Sequence, residues 1–306
     1  MKVLVATEKP FAPAALNQIK EITENANYEF VALEKYTDKS ELLKSVSDAD
    51  ALIIRSDLIT EEVVNSGTNL KIVVRAGAGY DNVDLKAASA KNVVVMNTPG
   101  QNSNAVAELA IGMMIFLARG KFNGKSGTEL KGKTLGIHAY GNVGKLVANI
   151  AKGFGMKIAA FDPFISKESM ENEGVKVYES AEELYKNCQY ISLHIPANEQ
   201  TKNSINFNLL NNMPKGATLV NTARKEVINE EDLVKVLESR QDFKYASDIA
   251  PNNAELLFEK YDNQCYFTPK KMGAQTAEAN SNAGIAAINQ IIKFFTEGDT
   301  TFQVNK

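Results

Sequence analysis

Three clusters of residues in this sequence have types and spacings suited to chemistry. The first is "LGIHAYGNVGKLVANIAKGFGMKIAAFDP" (135–163). An apolar run enters a turn with glycines, a helical pattern follows, and a second apolar run ends in Asp162. Glycines let a backbone approach a phosphate closely, and a helix N-terminus offers free N–H groups and the positive end of its dipole. Gly141 and Gly144 hold the second and third glycine positions of a dinucleotide fingerprint, and Ala139 stands at the first. A positive φ at Ala139 would cost roughly 1 kcal/mol, so either that φ is negative or the turn is slightly altered. Tyr140, Gly141, Asn142, Val143 and Gly144 form the candidate pyrophosphate cradle. Asp162 would accept hydrogen bonds from an adenosine ribose and repel a 2′-phosphate. With no Arg close behind it, the pattern favours NAD over NADP.

The second cluster is Arg55 in "IIRSD" and Arg75 in "VVRAG". Both end predicted strands, where open α/β sheets bind ligands, and two guanidinium groups suit an anion such as a phosphate. The structural alternative is pairing with Asp57 or Asp81. The third cluster is Lys270 and Lys271 in "FTPKKMGAQT". Residue type alone leaves two readings, solvated surface charge or a general acid/base. The only histidines, His138 and His194, lie elsewhere. His138, in the fingerprint strand, reads as packed core.

These residues need strands to carry them. "KVLVAT" (2–7), "YEFVAL" (28–33), "ADALIIRS" (49–56), "LKIVVRAG" (70–77) and "NVVVMN" (92–97) alternate with helical patterns. After a long apolar helix at 102–119 the rhythm restarts with 133–141, 157–163, 190–196, 217–223, 244–249 and 265–269. Short β-branched strands between helices predict parallel sheets covered on both faces. The fold class expected is α/β, with two Rossmann-like doubly wound parallel-sheet domains. In "NEEDLVKVLES", Asn229 reads as an N-cap. A last helix at 277–298 is long enough to cross back to the first unit.

The totals narrow the function. The 306 residues suit two domains, and 44% apolar with 23% charged is ordinary soluble composition. A net charge of −3 gives nucleic-acid binding no support. Cys188 and Cys265 offer no disulfide framework and suit a reducing, cytoplasmic compartment. The opening "MKVLVATEKPF" reads as a strand rather than a signal peptide. The apolar "AVAELAIGMMIFLAR" (105–119) contains Glu108 and is too short to span ~30 Å of hydrocarbon. No metal-ligand cluster and no membrane partner is expected.

With "RAGAGYDNVDL" (75–85), "NTPGQNSNAVAELAIGMM" (97–114), "SLHIP" (192–196) and "NTARKEVINEEDL" (221–233) added to the fingerprint, the chain resembles the D-isomer-specific 2-hydroxyacid dehydrogenases over nearly its whole length. The resemblance implies a discontinuous substrate-binding domain (1–98 plus 281–306), an NAD-binding domain (99–280) and an active site in the cleft between them. It implies that Arg224 clamps a substrate carboxylate and that Asp248 binds the nicotinamide carboxamide. Thr222 and Ala223 would lie against the ring, and His194 would line the cofactor site. Ala76 and Gly77 would bring backbone to the substrate carboxylate, with Asn102 also at the substrate. A homodimer through the 102–119 helix is implied as well.

Within that family the chain is most similar to the short phosphoglycerate-oxidising branch, where Arg55 and Arg75 would hold the substrate phosphate. The family pattern places a His after Thr-Pro, oriented by an upstream Glu. Here Lys271 falls at the His position, and Asn252–Asn253 stand near the Glu position, with Glu255 a little beyond. The resemblance extends to a subgroup carrying Lys for this His. Lys271 is then the expected proton donor and acceptor, and Lys270 a solvated neighbour or an auxiliary cation. A free Lys has a pKa of ~10.4, and burial plus the Arg224 charge are expected to lower it. Two alternatives stay open at this point: a hydroxypyruvate- or glyoxylate-type reductase, and a non-catalytic NAD-sensing scaffold.

Overall fold

The computed structural model describes residues 1–306 as two compact units. One comprises Met1–Asn102 with Gln275–Lys306, and the other Ser103–Ala274. Residues 99–102 and 275–280 therefore lie with the first unit rather than the second.

The first unit carries a five-stranded parallel sheet of β1 (Lys2–Thr7), β2 (Glu29–Glu34), β3 (Ala51–Ile54), β4 (Ile72–Arg75) and β5 (Val94–Asn97). Its order is β2-β1-β3-β4-β5. From β1 the chain goes to β2 on one side and then to β3 on the other, so the topological switch lies between β1 and β3. β3 is buried at every residue, as an apolar strand between two helical layers must be. The helix Ala277–Glu297 covers one face. Its Ala283, Ala287, Ile288 and Ile291 pack with Val3, Val5, Ile53 and Val74. Thr276 caps its start by accepting from Ala279 N, and Gly298, at φ 69°, ends it.

The second unit carries seven parallel strands, β6 (Thr134–His138), β7 (Lys157–Phe161), β8 (Lys176–Val177), β9 (Tyr190–Leu193), β10 (Thr218–Asn221), β11 (Lys244–Ser247) and β12 (Cys265–Phe267). The order is β12-β11-β10-β9-β6-β7-β8, so the switch lies between β6 and β9. The two-residue edge strand β8 was not apparent in the sequence, because it is too short for a period-2 pattern. The helix Ser103–Ala118 buries Ala107, Ala110, Ile111 and Met114 against Leu135, Ile137, Val147 and Ala151 of its own unit. Asn229 does cap the helix Glu230–Ser239, accepting from Asp232 N.

Ala139 corrects one expectation: its φ is +79°, not negative. The turn keeps a glycine-like conformation because both sides of it are tied down. Tyr140 N donates to Asp162 Oδ2 at 2.7 Å. A Cβ on Gly144 would lie 2.4 Å from Ala139 O, so helix and turn are packed backbone to backbone. An L residue there stores about 1–2 kcal/mol. Ala139→Gly relieves that strain and gives part of it back as unfolded-chain entropy. We expect a net gain of about 0.5–1 kcal/mol, measured as a raised thermal midpoint; an unchanged or lowered midpoint would show that the turn is unstrained.

Candidate active site

In the second unit, the candidate residues follow the carboxyl ends of successive strands. Reading along the sheet edge, Lys271 lies beyond β12, Asp248 after β11, and Thr222 to Arg224 after β10. His194 follows β9, the glycine turn follows β6, and Asp162 follows β7. From β7 to β11 is four strand spacings, roughly 19 Å at ~4.8 Å each. An extended dinucleotide laid along this edge crosses the switch point between β6 and β9, where sheets of this kind bind ligands.

The fingerprint turn opens the helix Asn142–Gly153. Gly141 is its N-cap and supplies no side-chain cap. The first N–H groups of a helix have no intrahelical acceptor, so those of Asn142, Val143 and Gly144 remain available to an anionic ligand. A Cβ on Gly141 would meet nothing within 4 Å, so the space beside that backbone is open. Asp162 is held by Tyr140 N at 2.7 Å and Phe164 N at 2.8 Å. The Tyr140 side chain departs from its expected role. It is fully buried and donates to Glu173 at 2.9 Å, so Tyr140 serves the cradle only through its backbone.

Asn221 organises the next loop, a role the sequence did not single out although "NTAR" contains it. Its Oδ1 accepts from Ala223 N at 2.9 Å, and its Nδ2 donates to Arg224 O at 2.9 Å. Its carbonyl accepts from Asp248 N at 3.2 Å, which joins the β10 loop to the β11 loop. Arg224 is half-buried, and its guanidinium donates to Ala223 O at 2.9 Å. Thr222 Oγ1 is buried without a partner.

Asp248 is fully buried. Its Oδ2 accepts from Gly273 N at 2.9 Å, while its Oδ1 is buried with no hydrogen-bond partner. Burial pushes this carboxyl up, against the pull of Gly273 N–H, Lys271, Met272 N–H and Arg224. An unpartnered buried carboxylate oxygen fits an amide N–H donor. With the open glycine cradle and the two-point-held Asp162, the residues present fit NAD. Asn142, Val143 and Gly144 would hold its pyrophosphate, Asp162 its ribose, and Asp248 its carboxamide.

Lys271 is exposed, contrary to the expected burial, because "PKKMG" runs over the surface after β12. Its charge, like that of Arg224, favours the ionised form of Asp248. Lys270 is exposed, and its carbonyl accepts from Thr268 Oγ1 at 2.8 Å. Neither histidine is placed to shuttle protons at neutral pH. Burial pushes His138 down to about 4 and His194 down to about 3. His138 Nδ1 lies 3.2 Å from Tyr185 Oη, and His194 Nε2 lies 2.9 Å from Ser192 Oγ. At the place expected for a Glu, Asn252 bonds Lys225 and Glu230 instead. An open groove of about 480 Å³ lined by Lys202, Lys225, Glu230 and Asn252 holds none of the candidate residues.

In the first unit, Arg55 and Arg75 stand at adjacent strand ends; Ile54 and Arg75 are register partners. Arg55 Nη1 donates to Lys9 O at 3.0 Å and Pro10 O at 2.9 Å, and Nη2 donates to Asn280. Its guanidinium lies 5.2 Å from the Phe11 ring centre. Asp57 binds no guanidinium of Arg55. Its buried carboxylate accepts from Glu8 N at 2.7 Å, Tyr36 Oη at 2.9 Å and Arg55 N at 3.0 Å. Arg75 Nε donates to Arg55 O at 3.1 Å.

The glycine at 77 serves Arg75. Gly77 has φ +147°, and a Cβ there would fall 1.5 Å from Arg75 Nη1. The guanidinium therefore lies across the bare Cα. Ala76 does not present a donor as expected, since its N–H is bonded to Ile54 O at 2.8 Å. Asn102 is half-buried and immediately precedes the helix Ser103–Ala118.

No helix is long and apolar enough to cross a membrane, and no three His, Cys, Asp or Glu side chains are grouped to hold a metal ion. Residues 109–269 match the family model described as D-isomer specific 2-hydroxyacid dehydrogenase, NAD binding domain. The chain is 36% identical to a hydroxypyruvate reductase of Thermotoga maritima, covering 87% of this chain and 91% of that one. It is 37% identical to a D-3-phosphoglycerate dehydrogenase of Methanocaldococcus jannaschii over 83% of this chain. It spans about half the length of that curated relative, at 51%. Among solved structures, an NAD⁺-bound 3-phosphoglycerate dehydrogenase of Entamoeba histolytica is 49% identical with a TM-score of 0.89, covering 100% of this chain and 99% of that one. The chain belongs to the D-isomer-specific 2-hydroxyacid dehydrogenases, a family of NAD-dependent enzymes.

Proposed function

We propose that the chain oxidises D-3-phosphoglycerate to 3-phosphohydroxypyruvate, the first step of a phosphorylated route to serine. The observation that carries this reading is the pair of fixed arginines at adjacent strand ends, with Arg75 laid over Gly77. An unphosphorylated hydroxy acid needs no such cations. The 49% identity to the Entamoeba enzyme supports the same substrate.

In this mechanism Arg224 holds the substrate carboxylate through its planar fork. Arg75, braced by Arg55, holds the phosphate. Bound NAD supplies the acceptor for the hydride leaving C2. Lys271 takes the hydroxyl proton as that hydride leaves, and returns it in the reverse direction. An ammonium needs no partner to fix a tautomer, unlike an imidazole, which accounts for a site without the family His and Glu. We also propose that the protein works in the cytoplasm as a homodimer through the helix Ser103–Ala118. The Thermotoga relative, matched over 91% of its length, favours a second reading, reduction of hydroxypyruvate.

Arg75→Ala is expected to cost ~1.5–3 kcal/mol in kcat/KM for phosphoglycerate and far less for an unphosphorylated analogue. Gly77→Ala should reproduce that pattern, because its Cβ displaces the same guanidinium. Equal losses for both substrates would favour the second reading. Lys271→Ala should lower kcat by ~10²–10⁴ and abolish the stronger alkaline preference expected for oxidation over reduction. A loss below tenfold, or a pH profile unaltered by the substitution, would remove Lys271 from the mechanism.

A further inference from the structure

The family pattern pairs its proton-transfer residue with a glutamate, and that glutamate has no counterpart here. Asn252 is bonded to Lys225 and Glu230, and Glu255 is exposed on the helix Ala254–Tyr261. One carboxylate is nonetheless built against the lysine loop. Asp248 Oδ2 accepts from Gly273 N at 2.9 Å, two residues beyond Lys271. Thr268 Oγ1 is within 2.8 Å of both Asp248 O and Lys270 O, so it ties the β11 end to the residue before Lys271. A Cβ on Gly273 would lie 2.8 Å from Asp248 Oδ2, so the glycine is what lets the loop settle on the carboxylate.

We propose that Asp248 is the positioning residue for Lys271: it anchors the loop through Gly273 N and supplies the negative charge that the absent glutamate supplies elsewhere in the family. The inference rests on Lys271 being the acid/base group. A fully buried carboxylate is costly unless it is paired or hydrogen-bonded. Asp248 has one hydrogen-bonded oxygen and one without a partner. The positive charges of Lys271 and Arg224 both favour its ionised form. Attraction is mutual, so the carboxylate favours the ammonium form of Lys271, the form that donates a proton to a ketoacid. The two oxygens then have separate tasks. Oδ2 fixes the proton-transfer loop, and Oδ1 remains for the nicotinamide carboxamide. Cofactor and acid/base group are thereby referred to one rigid side chain at a strand end.

The test uses the cofactor-free protein. An amine reacts with acetic anhydride only when unprotonated, so acetylation rate reports how firmly each lysine holds its proton. Lys270, adjacent and exposed, is the internal reference, and fragment-ion mass spectrometry separates the two sites. At pH 8 the wild-type protein should acetylate Lys271 about threefold more slowly than Lys270, the effect of roughly half a pH unit. Asp248→Asn keeps an acceptor for Gly273 N–H and removes the charge. It should raise the Lys271 rate about threefold, leave Lys270 unchanged, and move the alkaline limb of ketoacid reduction to lower pH. Equal Lys270 and Lys271 rates in the wild-type protein would overturn the proposal even if the variant did not fold. So would a folded Asp248→Asn variant with an unaltered ratio. If Lys271→Ala retained full activity, the acid/base reading itself would fall, whatever the acetylation ratio.

Discussion

All strands of both sheets run parallel, and this constraint carries the rest of the structure. A parallel strand cannot return through a hairpin. Each is followed by a crossover that leaves from its carboxyl end, so the loops after the strands gather along one edge of each sheet. In the second unit that edge carries the glycine turn, Asp162, His194, Arg224, Asp248 and Lys271. In the first it carries Arg55, Arg75 and Gly77. The apolar strands fix the edge, and the candidate polar residues lie just past their ends. Hydrogen bonds to the backbone then fix the loops: the Asn221 carbonyl joins the β10 and β11 loops, the Thr268 hydroxyl joins β11 to the lysine loop, and the Asp57 carboxylate joins the β1 and β3 loops.

Buried carboxylates do two different jobs in this chain. Asp57 is saturated by Glu8 N, Arg55 N and Tyr36 Oη, so its role is to hold a loop. Asp248 is left with an unpartnered oxygen at the sheet edge, the arrangement of a group waiting for a ligand. Both arginines are engaged: the Arg55 guanidinium by two carbonyls and Asn280, and Arg75, lying across a bare glycine Cα, by Arg55 O.

Much of this was legible in the sequence because it depends on local pattern. Strand lengths, the fingerprint spacing, the acid after β7 and the Asn229 cap are set by nearby residues. What was not legible depends on residues distant in sequence. The buried course of the Tyr140 side chain depends on Glu173. The positive φ of Ala139 depends on how Gly144 and Asp162 hold the turn. The use of Gly77 as a seat for Arg75, rather than as open backbone, goes with the bond from Arg75 Nε to Arg55 O, twenty residues away. That Asp248 faces the lysine loop required the pairing of β11 with β12.

We propose that the chain, with its two arginines at the strand ends of the first unit, acts on a phosphorylated acid. The direct measurement is NADH consumption by the purified protein with 3-phosphohydroxypyruvate, compared at equal concentration with hydroxypyruvate, glyoxylate and pyruvate. A strong preference for the phosphorylated ketoacid is the predicted result. A preference for an unphosphorylated ketoacid would contradict it, leaving the fold and the hydride chemistry in place and returning Arg55 and Arg75 to structural roles.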